Sequence, residues 1–124
     1  MQPHQHLIIR SEIKNPIKET NIIDIWVKEL IYKINMKILQ GPNTVYCEKN
    51  GNRGLTSVTI IETSHIALHT WDEDNPALLQ LDVYTCSKLN KEVVFDHLLI
   101  FDPICVNFKF LDREKNLLDY SFRN

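Results

Sequence analysis

The chain has 124 residues, of which 44% are hydrophobic and 24% charged, and its formal net charge is -2. This length predicts a single domain spanning residues 1–124, and the composition is typical of a globular protein rather than a disordered chain or a membrane protein. The small negative charge disfavours nucleic acids and membrane surfaces as partners.

The three cysteines, Cys47, Cys86 and Cys105, are an odd number without CxxC spacing. This pattern argues against a disulfide framework and against a zinc site, so we expect a reducing, cytoplasmic location. No apolar run approaches the about 20 residues that a membrane-spanning helix needs. His4 and His6 stand in an N-terminal segment where histidines are usually solvated, and we expect no bound metal.

The first part of the chain predicts a strand followed by a helix. A short apolar run predicts the strand at residues 6–11. Thr20 or Asn21 can cap the helix, whose apolar residues recur at helical spacing as far as Ile34. Trp26 lies in this apolar stripe and is interpreted as a core residue.

Two short strands, residues 36–39 and 44–47, are predicted on either side of a turn at residues 41–43. The next segment, residues 48–54, contains an Asn-Gly pair and a second glycine, so it predicts a loop with positive-φ positions. We interpret this loop either as a mobile rim of an active site or as a simple turn. Its two glycines without a following helix are a weak signal for phosphate binding.

The second half of the chain predicts three more strands, a helix and a last strand. The strands are residues 55–62, 65–72 and 78–85, the helix is residues 91–101, and the last strand is residues 105–111. Helices and strands in this order predict an α+β fold, a two-layer sandwich in which two helices cover one face of a mainly antiparallel sheet.

Polar groups interrupt the apolar pattern between residues 60 and 71. Ser64, His65 and His69 lie among isoleucines and a leucine. Burying hydroxyl and imidazole groups costs free energy unless each finds a hydrogen-bond partner. These residues are therefore either satisfied members of a half-buried strand, or a nucleophile and two imidazoles at a site of chemistry.

A longer string surrounds them: residues 54–73 read GLTSVTIIETSHIALHTWDE, and LLQLDVYTC follows, ending at Cys86. This string resembles the signature of the bacterial-type S-adenosylmethionine decarboxylases, ESHxxxHTWPE followed by a strand that ends in a Phe-Thr-Cys-like triplet. A short, virus-encoded version of these enzymes looks the most similar. The matching positions are Ser64-His65, His69-Thr70-Trp71, Glu73 and Tyr84-Thr85-Cys86.

The resemblance implies a carboxy-lyase, made as a zymogen, whose cofactor comes from its own chain. Decarboxylation of an amino acid needs an electron sink, which a carbonyl provides when it forms a Schiff base with the substrate amine. Nothing in the sequence resembles a pyridoxal phosphate lysine site. By similarity, Ser64 attacks the carbonyl of Thr63, the resulting ester eliminates, and a pyruvoyl group derived from Ser64 heads the C-terminal fragment.

The resemblance also implies roles for three further residues. His69 would handle the proton during self-cleavage, and Thr56 stands where the family has an assisting serine, with its hydroxyl retained. Cys86 would reprotonate the decarboxylated carbon, which is a general-acid role for a thiol. From the residues alone, Cys86 would be interpreted as a buried strand cysteine.

The spacing of Ser64 and His69 limits how they can share a site. In a regular strand, residues an odd number apart point to opposite faces. Either the chain bends at residues 63–65, or the histidine serves the serine of a second subunit. The resemblance implies the second arrangement, a two-fold homodimer that forms a larger sandwich with two sites at its interface.

The substrate that the resemblance implies is S-adenosylmethionine, decarboxylated for spermidine biosynthesis. Glu73 matches a carboxylate suited to accepting ribose hydroxyl hydrogen bonds, and Trp71 has either a structural or a contacting role. The adenine-stacking aromatic of the family falls at Asn50, and Tyr46 is the only nearby replacement. His65 either contacts the substrate or supports the turn.

Two other differences from the family concern the cleavage site and its surroundings. Thr63 replaces the glutamate that precedes the cleavage serine, and two extra residues separate Glu73 from Cys86. Two alternatives therefore stand beside the preferred hypothesis of an S-adenosylmethionine decarboxylase. One is a pyruvoyl decarboxylase of another amino acid, such as ornithine or arginine, and the other is a non-cleaving, non-catalytic binding or regulatory paralogue.

Overall fold

A computed structural model describes residues 2–119 and 121, in which six antiparallel strands form one sheet with the order β2-β3-β4-β5-β1-β6. The predicted α+β fold, with two helices on one face of an antiparallel sheet, is confirmed. The elements in chain order are β1 (Gln5–Ile13), α1 (Thr20–Lys33), β2 (Ile38–Cys47), β3 (Gly54–Ile61), β4 (Ser64–Trp71), β5 (Ala77–Thr85), α2 (Lys91–His97), a 3₁₀ helix (Leu98–Phe101) and β6 (Pro103–Asp112).

The helices bury the apolar face of the sheet. In α1, apolar residues recur every three or four positions, so one stripe of the helix packs on the strands. Trp26 in this stripe joins α1 to α2, because its Nε1–H donates a 2.8 Å hydrogen bond to the carbonyl oxygen of His97. The Trp26 ring also lies 5.1 Å from the ring of Phe101. Trp26 is only 3% exposed, which confirms its interpretation as a core residue.

The opposite face of the sheet is covered by neither helix, and we call it the uncovered face. Side chains alternate along each strand, so the residues between the buried positions of β1, β3, β4 and β5 point to this face. Its apolar residues include Ile8, Val58 and Ile60, which are 40%, 39% and 43% exposed. Its polar residues include His6, Thr56, His65, His69 and Asp82.

The predicted turn at residues 41–43 was wrong. β2 runs without reversal from Ile38 to Cys47, and its register with β3 shifts between Ile38 and Gln40 and again between Gln40 and Asn43. Gly41 has a φ of +106°, so the glycine-proline-asparagine sequence produces a bulge in one strand rather than a chain reversal. The two separate strands predicted at residues 36–39 and 44–47 are therefore one irregular strand.

Other boundaries differ by smaller amounts. The predicted helix at residues 91–101 ends as an α-helix at His97 and continues as the 3₁₀ helix to Phe101. Thr20 is the first residue of α1, and Glu19 occupies the N-cap position predicted for Thr20 or Asn21. Within the described part of the chain, both helices are too short or too polar to cross a membrane.

Candidate active site

Ser64 occupies an unusual backbone position directly after a tight turn. Residues 62 and 63 connect β3 to β4, and Ser64 begins β4 opposite Ile61 and Thr85. Its φ is +137°, in a region that residues with a side chain rarely adopt and that costs of order 1–3 kcal/mol. The peptide bond between Thr63 and Ser64 therefore lies at a strained point of the hairpin.

The carbonyl group of Thr63 is held by the segment that follows β5. The backbone N–H of Cys86 donates a 2.7 Å hydrogen bond to the Thr63 carbonyl oxygen. The Thr63 hydroxyl donates to Met36 Sδ at 3.1 Å. Cys86 itself is a free, half-buried cysteine. The structure thus brings together three of the residues predicted from sequence, Thr63, Ser64 and Cys86.

A second group of predicted residues lies on the uncovered face, toward the other end of β4. Thr56 Oγ1 lies 3.1 Å from His69 Nδ1, because β3 and β4 place these two residues opposite each other. The His69 ring stacks on the ring of Trp71 with centroids 6.0 Å apart. Trp71 Nε1–H in turn donates a 2.9 Å hydrogen bond to Asn52 Oδ1. This contact network fixes the orientation of the imidazole.

The two groups do not meet within one chain. Ser64 and His69 both belong to β4 and are five residues apart, which corresponds to about 17 Å along a strand. The chain does bend at residues 62 and 63, but the bend precedes Ser64 and leaves His69 at the same distance. The sequence left two arrangements open, a bend at residues 63–65 or a histidine from a second subunit. The bend does not bring Ser64 to His69 within one chain.

Both carboxylate oxygens of Glu73 bind the loop between β2 and β3. Oε2 accepts a 3.1 Å hydrogen bond from the backbone N–H of Gly51, and Oε1 accepts a 2.9 Å hydrogen bond from that of Arg53. These two N–H groups lower the pKa of Glu73. Gly51 has a φ of +86°, which confirms one positive-φ position in this loop, whereas Gly54 does not have a positive φ and begins β3. A cavity of about 260 Å³ is lined by Gly51, Trp71, Glu73, Asp74, Pro76 and Leu78.

Tyr46 is held by an acid that sequence analysis did not single out. Its hydroxyl donates a 2.6 Å hydrogen bond to Asp72 Oδ2, and Arg53 Nε donates to Asp72 Oδ1 at 3.0 Å. Burial, followed by the hydrogen bond to the Asp72 carboxylate, raises the pKa of Tyr46 to about 12. The one available signal was that Asp72 stands where the HTWPE signature has proline.

His65 contacts a second histidine through a shared carboxylate. His65 Nε2 and His6 Nε2 each lie 3.1 Å from Asp82 Oδ1 on the uncovered face. Burial opposes ionisation of Asp82, but hydrogen bonding and charge from His6 and then His65 outweigh it and lower the pKa of Asp82. His6 and Asp82 were missed as partners of His65 because only the strand register brings them together.

The amino-acid sequence matches the family model described as S-adenosylmethionine decarboxylase over residues 8–114. The chain belongs to the S-adenosylmethionine decarboxylase family. This confirms the resemblance found in the signature, and the matched range includes every candidate residue from Tyr46 to Cys86.

Individual relatives of the S-adenosylmethionine decarboxylase family match over shorter stretches. An S-adenosylmethionine decarboxylase proenzyme of Thermococcus kodakarensis is 44% identical over 55 residues, which cover 44% of this chain and 37% of that protein. A protein of the same name from Clostridium botulinum strain Hall is 47% identical over 36 residues, 29% of each chain. The matches thus span about a third of the length of these curated relatives.

A solved structure matches the fold over nearly the whole chain. The crystal structure of the adenosylmethionine decarboxylase from Aquifex aeolicus has a TM-score of 0.69 and covers 90% of this chain and 91% of that chain. The sequence identity is 21%. This similarity concerns the fold of the S-adenosylmethionine decarboxylase family and leaves the roles of single residues to the geometry described above.

Proposed function

We propose that the chain is a proenzyme that cleaves itself between Thr63 and Ser64 and, once cleaved, decarboxylates S-adenosylmethionine. One observation carries the proposal: a 2.7 Å hydrogen bond from the Cys86 N–H to the Thr63 carbonyl oxygen, next to a serine whose φ is +137°. A carbonyl polarised by an N–H donor and a strained backbone beside it both favour attack by the neighbouring hydroxyl.

Cleavage begins when Ser64 Oγ adds to the carbonyl carbon of Thr63. The Cys86 N–H stabilises the negative charge that develops on the Thr63 oxygen. Breaking of the C–N bond then leaves residue 63 as an ester on Ser64 Oγ and frees the Ser64 amino group. Loss of the Ser64 α-proton expels the ester as the carboxylate of Thr63. The dehydroalanine left at position 64 takes up water and releases ammonia, which yields the pyruvoyl group.

His69, which handles the proton during self-cleavage, comes from a second chain. Ser64 and His69 of one chain are about 17 Å apart, so one copy cannot bring them together. Packing two uncovered faces against each other around a two-fold axis perpendicular to the strands would place the Ser64 end of one sheet beside the His69 end of the other. The exposed Ile8, Val58 and Ile60 supply apolar surface for this contact.

Substrate decarboxylation uses residues of both groups together with Glu73. The pyruvoyl carbonyl supplies the electron sink when carbon dioxide leaves. Cys86 directly follows Thr85, which pairs with residue 64, and its thiol then donates a proton to the substrate carbon. Glu73 is fixed by two loop N–H groups, and each of its oxygens keeps a lone pair for a ribose hydroxyl. The Trp71 ring stacks on the His69 ring and so orients it.

A second candidate function rests on the position of Tyr46. S-adenosylmethionine carries an adenine that suits an aromatic neighbour, and the family position for that aromatic holds Asn50 here. Tyr46 is the nearby replacement, but its hydroxyl is bound to buried Asp72. This arrangement favours a pyruvoyl decarboxylase whose substrate lacks adenine, such as ornithine or arginine.

Intact mass spectrometry of the purified chain tests the cleavage step. We expect two fragments, residues 1–63 and 64–124, with the second one blocked to N-terminal sequencing. Ser64→Ala should stay at full length, while Ser87→Ala, which changes another serine near the site, should cleave. A wild-type chain that remains uncut after days in solution would overturn the proposal and favour the non-catalytic paralogue.

Release of labelled carbon dioxide distinguishes the two enzymatic functions. The cleaved protein is incubated with carboxyl-labelled S-adenosylmethionine, ornithine or arginine in separate reactions. Release from S-adenosylmethionine alone supports the first candidate. Release from ornithine or arginine alone contradicts it and supports the second.

A further inference from the structure

Three side chains on the uncovered face lie close together and have no role in the proposed reaction. We call them the His-Asp-His cluster: His6, His65 and Asp82. They come from β1, β4 and β5, which are neighbours in the sheet. Tyr84 of β5 pairs with His6 on one side and with His65 on the other, so the two histidines lie opposite the same residue. Asp82 precedes Tyr84 by two residues and points to the same face. Two ladders of backbone hydrogen bonds therefore hold all three positions.

We propose that the His-Asp-His cluster binds a divalent transition-metal ion of the Zn²⁺ or Co²⁺ type. His6 Nε2 and His65 Nε2 each lie 3.1 Å from Asp82 Oδ1, and the three ligand atoms lie within 4.8 Å of one another. Ligands about 2.1 Å from a tetrahedral ion are about 3.4 Å apart, so small side-chain rotations suffice to form the site. Two imidazoles and one carboxylate match these ions rather than Mg²⁺ or Ca²⁺, which prefer all-oxygen sites.

In the single chain the cluster is partly exposed, so an ion can enter before two uncovered faces pack together in the proposed dimer. The side chains of His6, Asp82 and His65 are 14%, 29% and 43% exposed. Three protein ligands leave the fourth position of a tetrahedral ion open to water or another ligand, as in zinc sites that are not purely structural. The N-terminal position of His4 and His6 predicted no metal, whereas the sheet register places His6 beside residues far along the chain.

Arg113 opposes binding of the ion through its contact with His6. Its NH1 lies 3.3 Å from His6 Nδ1, and its guanidinium lies 4.0 Å from the centre of the Tyr84 ring. A metal-bound histidine usually donates its other ring N–H to an acceptor, and a guanidinium offers none. Arg113 is exposed and follows β6, so it can move away. Replacing it with glutamine removes the positive charge and provides a carbonyl acceptor.

Calorimetric titration of the metal-free full-length chain with Zn²⁺, and Co²⁺ absorption spectra, test the site. We expect one ion per chain, at least tenfold weaker binding in His65→Gln and Asp82→Asn, and about tenfold tighter binding in Arg113→Gln. His4→Gln, which changes a histidine two residues from the cluster, should bind like wild type. Circular dichroism checks that each variant is folded.

Two results would overturn the site. One is that millimolar Zn²⁺ produces no binding signal with the wild-type chain, which would leave the cluster as a pair of imidazole–carboxylate hydrogen bonds. The other is that His65→Gln and Asp82→Asn both bind as tightly as wild type. Neither result depends on cleavage at Ser64, because binding is measured without substrate and can be repeated on Ser64→Ala.

Discussion

The backbone N–H of Cys86 and the carbonyl oxygen of Thr63 are joined by a 2.7 Å hydrogen bond. This contact separates the two roles of Cys86, because its backbone serves self-cleavage while its thiol serves turnover. Cys86→Ala keeps the N–H, so we expect cleavage at the wild-type rate. Decarboxylation should fall by about 10²–10⁴-fold, since the general acid is lost. Intact mass measures the first effect and labelled carbon dioxide release the second.

Cys47→Ala is the matched control for the thiol. Cys47 lies at the end of β2, is also free and half-buried, and should be dispensable for both steps. Full decarboxylase activity in Cys86→Ala would contradict the assignment of Cys86 as the acid. An uncut Cys86→Ala chain would mean that the thiol, rather than the N–H, supports cleavage.

Mixing two inactive variants tests whether the site is shared between chains. Ser64→Ala lacks the nucleophile and His69→Asn lacks the processing imidazole, so each should stay uncut alone. In a mixed dimer, the His69→Asn chain keeps Ser64 and receives His69 from its partner. With equal amounts and random pairing, we expect cleavage of about half of the His69→Asn chains. Co-expression followed by mass spectrometry measures this fraction.

The two variants differ in mass, so the cleaved chain is identified directly. Fragments that carry the Ser64→Ala change should be absent, because that chain has no nucleophile in any pairing. If co-expression leaves both chains uncut although a dimer forms, His69 does not act across the interface.

The hydroxyl of Thr56 is expected to support His69 during cleavage. Thr56 Oγ1 lies 3.1 Å from His69 Nδ1, and Thr56→Val removes this contact while keeping the side-chain shape. Losing one such hydrogen bond costs about 1.4 kcal/mol, so cleavage should slow about tenfold. Thr56→Ser, which keeps the hydroxyl, should cleave at nearly the wild-type rate. Equal rates for the valine and serine variants would remove the role of the hydroxyl.

Periodic apolar patterns predicted most of the fold, while residues 41–43 show where local patterns fail. Glycine, proline and asparagine are common wherever the backbone adopts an unusual conformation. A chain reversal and a β-bulge both require such a conformation, so these residues do not distinguish between them. The ladder between β2 and β3 decides between them, because it continues on both sides of Gly41. That long-range pairing cannot be inferred from three residues.

The candidate site divides in the same way. Ser64, His69 and Cys86 were predicted because they stand in one contiguous signature. The contact of His6 with Asp82 joins residues 76 positions apart, and only the register of β1 against β5 creates it. The separation of Ser64 from His69 was predictable, since five residues of a regular strand span about 17 Å.

Tyr46 should make the fold sensitive to alkaline pH. Burial and the hydrogen bond to Asp72 raise the pKa of Tyr46 from 10.0 to about 12. The folded chain therefore holds the phenolic proton more tightly than the unfolded chain, and the resulting stabilisation is complete below pH 10 and lost as the pH rises toward 12. The free energy of unfolding, measured with urea, should fall more steeply over this pH range for wild type than for Tyr46→Phe. Tyr32→Phe, at an 82% exposed position, should follow wild type.

Two buried threonines should respond in opposite directions to the same substitution. Within the described residues, Thr59 Oγ1 is buried without a hydrogen-bond partner. Thr59→Val replaces this hydroxyl with a methyl group, so the free energy of unfolding should rise by about 1 kcal/mol. Thr70 Oγ1 instead accepts a 3.1 Å hydrogen bond from the backbone N–H of Leu55. Thr70→Val leaves that buried N–H unpaired and should lower the free energy of unfolding by about 1–3 kcal/mol.

Urea denaturation of both variants on the Ser64→Ala background measures these changes without interference from cleavage. Both threonines lie on strands and are at most 3% exposed, so differences in strand propensity and burial largely cancel between them. The sign of each change therefore reports the hydrogen-bond state of the hydroxyl. A Thr59→Val chain that is less stable than its parent would show that this hydroxyl has a partner, such as a buried water molecule, whose loss costs more than the methyl group contributes.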